Sequence, residues 1–322
     1  MNRHIYWIWL RMALSGNIKL MYALYTVVGD VEQIFRADSA RYLEWGVDPS
    51  LIKTLSDKDL SSAYNILGQC ERFDIHILTI EDDDFPDALR QIALPPCMLF
   101  YQGDLPGCLS GPALTVIGTR HSTATGESIA ADFSEHLSLS GFSIVCGVAE
   151  GIETVIQKSV VKADGRCVLL LPCGILMAGK RVKYMIRDVL PHGAVVSELL
   201  PHERSPYDAY HMRNRLLSGL TGGTLVLQAP IKSGTSITAN YAIQQGKDVF
   251  VLPGSVRDPS FAGNNRLLRD GAVPIIDYTD IVDYYRPKWK DALQDTVIEY
   301  TAFEQFVSSI TAGNEFDDEI VK

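Results

Sequence analysis

The sequence predicts an α/β fold in which a doubly wound, mostly parallel sheet follows a small helical N-terminal domain. From Ala113 onward, short apolar runs each end in a glycine or a polar turn, and stretches with helical spacing separate most of them. The apolar runs are continuous rather than alternating, which is typical of strands covered on both faces. Sheets of this kind bind ligands at the carboxyl ends of their strands.

The first predicted domain covers residues 1–80, where apolar residues recur at helical spacing. The longest early apolar run, Ile5 to Leu10, stops at Arg11 and is too short to span a membrane. It also lacks the layout of a signal peptide, so we expect a cytoplasmic protein with no membrane partner. The acidic run at residues 81–84 is interpreted as a solvated loop at the domain boundary.

The second predicted domain covers residues 85–285, and a short acidic tail follows at residues 286–322. Its predicted strands are Leu114–Ile117, Phe142–Val145, Cys167–Leu171, Ala194–Val196, Thr224–Leu227, Asp248–Leu252 and Val273–Ile276. Helices are predicted between most of them, for example Glu127–Leu139 and Ser236–Gln245. The tail contains one weak helical pattern, Phe303–Ile310, and is too short for a winged-helix domain.

Composition limits the ligand chemistry only weakly. The net charge is −10, yet residues 111–285 contain 16 basic and 16 acidic side chains, which leaves room for a local positive cleft. The six cysteines form no C-x-x-C pair, so neither a zinc site nor a disulfide framework is predicted. We expect no metal, no cofactor and no catalytic constellation.

Two turns after predicted strands have residues suited to an oxyanion. Gly118 lets the backbone approach a ligand closely, and Arg120 would project over the strand ends. The next turn contains Gly147 and Gly151, and the amides at the following helix start would hold one phosphate. A purely structural turn is the alternative in both cases.

A third loop, Lys232-Ser233-Gly234-Thr235, opens a predicted helix. A lysine beside free amides favours a phosphate site, although Ser233 or Thr235 could simply cap the helix. The loop does not match G-x-x-x-x-G-K-[ST], so ATP hydrolysis of the Walker A type is not predicted.

Two further segments combine scaffold and ligand residues. In Arg213-Asn214-Arg215 the two arginines point in different directions on a helix. One would therefore face the ligand, and the other would brace the fold through Glu198 or Glu150. Asn265 begins another helix near the same sheet edge, where an N-cap or turn explains it nearly as well as a ligand does.

Taken in order, these motifs resemble the DprA/Smf family of DNA-processing proteins, over about residues 85–285. No single piece is specific, but eight of them occur in the right order. The matching pieces are Phe85–Leu89 and Pro95–Phe100 with Gly103, Gly118–Arg120, Gly147 with Gly151, Ser197–Glu198, Arg213–Arg215, Ser233–Thr235 with Thr238, Pro253–Gly254, and Gly263 with Asn265.

The resemblance implies a Rossmann-like domain, preceded by a SAM-like helical domain. Such a protein binds single-stranded DNA as a homodimer, loads RecA onto incoming strands in natural transformation and recombination, and is not an enzyme. The family's pocket arginine falls on Arg120 and its basic pocket residue on Lys232. The full set predicted to contact nucleic acid or phosphate is Gly118, Arg120, Gly147, Gly151, Arg213, Asn214, Arg215, Lys232, Ser233, Gly234, Thr235 and Asn265.

Several positions depart from the family pattern, and they leave the ligand open. The departures are Cys146, Glu153, Gln157, Gln228, Gly179-Lys180 in place of Tyr-Pro, and Tyr210-His211 in place of Phe-Pro. Two other functions therefore stay open: a sensor that binds a small nucleotide, and a nucleotide-processing enzyme. For the enzyme, Glu150 and Glu153 are the only acid/base candidates.

Overall fold

The structure, a computed structural model, describes residues 3–294 and has a nine-stranded sheet at its centre. The strands are β1 (His76–Thr79), β2 (Met98–Gly103), β3 (Ala113–Ile117), β4 (Ser143–Cys146), β5 (Cys167–Leu170), β6 (Ala194–Ser197), β7 (Gly223–Val226), β8 (Asp248–Val251) and β9 (Val273–Pro274). Most of the predicted tail, including Phe303–Ile310, lies outside the described residues.

The strand order is β1-β2-β6-β5-β4-β3-β7-β8-β9. All neighbours from β6 to β9 pair in parallel, which confirms the predicted doubly wound α/β fold and its seven strands. The sequence patterns did not predict β1 and β2, which add to one edge in antiparallel register. β1 is only four residues long and begins at an exposed histidine, so it lacks the continuous apolar run of the central strands.

Helices cover the sheet and connect its strands. Those after β1 are α7 (Asp87–Arg90), α8 (Leu105–Leu109), α9 (Ala124–Leu139), α10 (Ile152–Lys162), α11 (Lys180–Val189), α12 (Ala209–Gly219), α13 (Gly234–Gln244), α14 (Ala262–Arg269) and α15 (Tyr278–Tyr285). α9 begins three residues before the predicted start because the Thr123 side chain caps it and accepts a hydrogen bond from the Gly126 amide.

Six helices precede the sheet, and the first of them belongs to its core. They are α1 (His4–Ala13), α2 (Ile18–Val28), α3 (Val31–Arg36), α4 (Ser39–Glu44), α5 (Pro49–Ser56) and α6 (Ser61–Arg72). α1 buries every residue from Ile5 to Arg11 and packs in the same hydrophobic cluster as Leu99 and Phe100 of β2. Among residues 3–294, no helix is long and apolar enough to cross a membrane.

The acidic run after β1 is only in part the solvated loop that we predicted, because Asp83 and Asp84 are exposed whereas Glu81 and Asp82 are half-buried. Glu81 accepts hydrogen bonds from Trp7 Nε1 and from the Val31 amide, both at 3.2 Å, and it pairs with Arg3. Asp82 accepts a hydrogen bond from the Thr79 amide at 2.6 Å. These carboxylates join the helices to the sheet because they satisfy donors that packing would otherwise leave without partners.

The chain reverses its winding direction beside β3. β4, β5 and β6 lie on one side of β3, whereas β7, β8 and β9 lie on the other. In open α/β sheets, ligands bind in the crevice outside the carboxyl ends of the strands at such a switch point. The loop after β3 carries Arg120 and the loop after β7 carries Lys232, so the topology brings the two predicted cations to one crevice.

Candidate nucleic-acid interface

A cavity of about 340 Å³ occupies this crevice, and we call it the edge pocket. Four segments form it: the loop after β3, the turn that leads from β4 into α10, the first half of α12, and the loop that leads into α13 with the first turn of that helix. Eight of the twelve predicted site residues line it, namely Gly118, Arg120, Arg213, Asn214, Lys232, Ser233, Gly234 and Thr235. The pocket gathers these residues from positions more than 100 apart in the sequence because β3 and β7 are neighbours in the sheet.

Tyr210 is the aromatic centre of the edge pocket, and the predicted site did not include it. The Cζ of Arg120 lies 4.8 Å from the Tyr210 ring centroid, and the Cζ of Arg213 lies 5.7 Å from it. Tyr210 and Arg213 are three positions apart on α12 and therefore share a face of that helix. An exposed aromatic three residues before the arginine motif was the available sequence signal.

Arg213 is a buried cation that makes no ion pair among residues 3–294, although the Glu153 carboxylate in the pocket lining lies close to it beside Gly147. Its residue surface is 5% exposed, and its Nε and Nη1 atoms have no hydrogen-bond partner among the described residues. A buried charge without hydrogen-bond partners is costly, because it gives up hydration for weaker contacts. This arginine is therefore suited to an anionic ligand in the pocket.

The other two cations of the pocket are exposed and also lack a carboxylate partner. Within residues 3–294, neither Arg120 nor Lys232 takes part in an ion pair. Of the carboxylates in the described part of the chain, Glu153 alone lines the pocket, and its Oε2 accepts a hydrogen bond from the Ala149 amide at 2.7 Å. Three cations against one occupied carboxylate make a pocket that attracts anions.

The Lys232 loop caps α13 and leaves the start of that helix accessible. Ser233 is the cap, and its Oγ accepts a hydrogen bond from the Ser236 amide at 3.3 Å. Gly234 has open space on the side where a Cβ would stand. The positive end of α13 and Lys232 therefore lie at the same pocket, which is the arrangement that an anion site needs.

Gly147 and Gly151 support the pocket but do not line it. Gly151 has φ +75°, and a Cβ there would lie 2.5 Å from the carbonyl oxygens of Thr119 and Arg120. A Cβ on Gly147 would overlap the Arg213 guanidinium. Their lack of a side chain lets the Arg120 loop and Arg213 approach the turn, which agrees with the structural alternative to the predicted phosphate contact.

Arg215 and Asn265 also lie outside the edge pocket. Arg215 Nη2 is 2.6 Å from Glu198 Oε1 and both side chains are buried, which confirms one of the two predicted bracing pairs. Asn265 holds a turn: its Nδ2 donates to the Gly254 carbonyl at 3.0 Å, and its Oδ1 accepts from the Gly254 amide at 3.2 Å. In both cases the protein itself occupies the polar atoms that a ligand would need.

Among the four single-residue departures, only Glu153 lines the edge pocket. Gln228 is fully buried, and its Nε2 donates to Thr123 Oγ1 and to Ser260 Oγ, both at 2.9 Å. A hydrogen bond with Cys167 and complete burial hold the pKa of Cys146 well above its ordinary value, so it stays a thiol. These residues, with the buried Gln157, shape the wall behind the pocket rather than its surface.

Comparisons with known proteins agree with this geometry. Residues 76–286 match the family described as DNA recombination-mediator protein A. DNA processing protein DprA from Bacillus subtilis is 33% identical over 210 residues, which are 65% of this chain and 71% of that protein.

Two solved structures are similar. DNA processing protein A from Streptococcus pneumoniae has a TM-score of 0.67 and 26% identity, over 73% of this chain and 82% of that chain. A structure of the Helicobacter pylori protein, described by its single-stranded DNA binding mode, has a TM-score of 0.59 and 25% identity, over 66% of this chain and 97% of that chain. The chain therefore belongs to the DprA/Smf family of DNA-processing proteins.

Proposed function

We propose that this protein binds single-stranded DNA in the edge pocket and acts as a recombination mediator without catalysing a reaction. The observation that carries the proposal is the group of three cations without carboxylate partners around an exposed tyrosine. Proteins that bind single strands combine a positive groove for the backbone with aromatic rings on which bases stack. The H. pylori relative is described as a single-stranded DNA binder.

Each residue has a distinct part in the proposed complex. Lys232 and the start of α13 receive one phosphate, and Arg120 and Arg213 receive the next. The ring of Tyr210 stacks on a base, which is sequence-tolerant because every base has a π face. Glu153 holds the turn before α10 through the Ala149 amide and is not an acid/base group.

The test is the affinity for a fluorescent oligo-dT of Arg120→Ala combined with Lys232→Ala. Each charge-assisted contact is worth roughly 1.5–3 kcal/mol, so the double variant should bind at least about 100-fold more weakly. Lys53→Ala with Arg72→Ala removes two exposed charges from the N-terminal helices and serves as the matched control. Equal affinity of the double variant and the control at several salt concentrations would contradict the proposal.

Thermal-shift measurements separate DNA binding from the two other functions. Stabilisation by oligo-dT but not by mononucleotides is the expected result. Equal stabilisation by a mononucleotide would indicate the nucleotide sensor, and release of free base would indicate the enzyme.

We further propose, from the family resemblance, that the protein acts as a homodimer and transfers the bound strand to RecA. Faster RecA filament formation on oligo-dT in the presence of the protein is the expected result. Sedimentation at micromolar concentration should give the mass of a dimer. A RecA rate that does not change would remove the transfer step and leave the binding proposal intact.

A further inference from the structure

A second recess, of about 380 Å³, lies beside the edge pocket, and the two share Tyr210. We call it the side recess. Two arginines, Arg181 and Arg204, line it together with Ser205, and its floor is apolar, with Leu171 and Val182 among its residues. None of the lining residues in the described part of the chain is a carboxylate.

The two arginines give the side recess a positive charge that is offset, among the described residues, by one solvent-exposed ion pair. Arg204 is exposed and takes part in no ion pair among residues 3–294. Arg181 is held in place, since its guanidinium donates to the Val148 carbonyl and, at 3.3 Å, to Thr154 Oγ1. Its Nε is 3.9 Å from Glu150 Oε1, but the Glu150 side chain is 79% exposed, so water screens this pair.

Another neighbour of the edge pocket has a lining of balanced charge. The cleft between the N-terminal helices and the sheet has a volume of about 330 Å³ and shares Arg213 with the edge pocket. Its lining has three carboxylates, Glu198, Glu203 and Asp208, and three cations, Arg11, Lys19 and Arg213. A polyanion that leaves the edge pocket therefore meets balanced charge on the Arg213 side and positive charge on the Tyr210 side.

We infer that the side recess is a second nucleotide subsite, and that a bound single strand runs from the edge pocket across Tyr210 into it. The apolar floor takes a base or a sugar, and Arg204 and Arg181 at its edge take the following phosphate. This inference rests on the proposed DNA binding in the edge pocket. It assigns a function to Arg181 and Arg204, which lie outside the predicted site.

Gly179 offers a substitution that adds negative charge to the recess without straining the backbone. Its φ is −67°, an ordinary value, and a Cβ there would meet nothing within 4 Å. Gly179→Glu would place a carboxylate beside the two arginines. Gly179→Gln has the same shape and the same backbone effect without the charge, and so it is the matched control.

The experiment measures affinity against a series of oligo-dT lengths for the full chain. For the unmodified protein, affinity should rise with length beyond the few nucleotides that fill the edge pocket. Gly179→Glu should lose most of that rise, about tenfold for the longer strands, and bind the shortest ones unchanged. Gly179→Gln should retain most of the rise. Arg204→Ala should also lose affinity for longer strands, and Arg204→Lys should keep it.

The outcomes distinguish this inference from the proposed function. If the unmodified protein bound no oligonucleotide of any length, both would be overturned. If it bound short strands through Arg120 and Lys232, and Gly179→Glu and Arg204→Ala kept the full gain with length, only the side recess would be overturned. Thermal unfolding of each variant shows whether it is folded.

Discussion

Two arginines on α12, Arg213 and Arg215, are both buried, yet their surroundings differ. Arg215 faces the seam between the N-terminal helices and the sheet, where it pairs with Glu198 and leaves only Nε without a hydrogen bond. Arg213 faces the edge pocket and makes no ion pair among residues 3–294. Near Arg215, Arg11 pairs with Glu203 at 2.8 Å. Burial alone therefore does not separate the two arginines of α12; the ion pair with Glu198, which Arg213 lacks, does.

Removing the buried ion pair between Arg215 and Glu198 should have the largest effect on stability. Glu198→Ala leaves Arg215 buried without its partner, which costs about 3–5 kcal/mol of the free energy of unfolding. Urea denaturation measures this loss. Adding Arg215→Met to Glu198→Ala should recover much of it, because the double variant has no uncompensated charge. A loss below about 1 kcal/mol would show that the buried pair does not stabilise the fold.

The corresponding change in the edge pocket should act on binding and not on folding. Arg213→Met removes a buried cation that has no partner, so the free energy of unfolding should stay the same or rise by about 1 kcal/mol. The affinity for oligo-dT should fall about tenfold or more, as measured by fluorescence anisotropy. Destabilisation by more than about 2 kcal/mol would place Arg213 with Arg215 among the structural arginines.

A smaller loss is expected at the Arg11–Glu203 pair. The Arg11 side chain is 2% exposed but the Glu203 side chain is 30% exposed, so water can partly replace the carboxylate. Glu203→Gln should therefore cost about 1–2 kcal/mol, less than Glu198→Ala. Urea denaturation under the same conditions gives the order of the two variants, and the reverse order would contradict this account of the seam.

The smallest predicted effect concerns Lys58, a cation enclosed by aromatic rings in the N-terminal helices. Its Nζ lies 4.8 Å from the Trp9 ring centroid and 4.9 Å from that of Tyr42, and it donates to the Tyr42 hydroxyl at 2.6 Å. Burial lowers the pKa of Lys58 to about 8. Between pH 8 and 10 the unfolded chain holds a proton that the folded chain has released, so this residue stabilises the fold more as pH rises.

Comparison with Lys58→Met isolates the contribution of Lys58 to the pH dependence of the free energy of unfolding. Burial raises the pKa of Cys97 and of Cys108 to about 12, and these thiols act in the opposite direction, but equally in both proteins. The free energy of unfolding of the unmodified protein, minus that of Lys58→Met, should therefore increase as pH rises from 8 to 10. A difference that does not change with pH would contradict the lowered pKa.

The sequence predicted the fold and most of the edge pocket because both depend on local patterns. Continuous apolar runs identify parallel strands, and the carboxyl ends of such strands meet at one edge, so Arg120 and Lys232 could be predicted to converge. Helical phase predicted that Arg213 and Arg215 diverge. It did not show which one has the carboxylate, because Glu198 reaches Arg215 only through the packing of α12 on the sheet.

The features that the sequence did not predict arise from tertiary packing. The place of Tyr210 between two cavities depends on how α12 crosses the strand ends. The side recess is formed by residues from several separate segments, among them Val148, Arg181 and Arg204, which no local pattern brings together. Gly147 and Gly151 were assigned to phosphate, since a glycine turn before a helix has the same sequence pattern whether a ligand or a neighbouring loop approaches it.

The central claim is that the unpaired cations of the edge pocket hold the phosphates of a single strand, and the salt dependence of binding tests it most directly. Each phosphate neutralised on a single strand adds about 0.7 to the magnitude of the slope of log K against log salt. For a strand short enough to fill the edge pocket alone, we expect a slope of about −1.4 for the unmodified protein, from the phosphate at Lys232 and the phosphate shared by Arg120 and Arg213. Lys232→Gln should reduce the magnitude of that slope by about 0.7. Equal slopes for the two proteins would contradict the account.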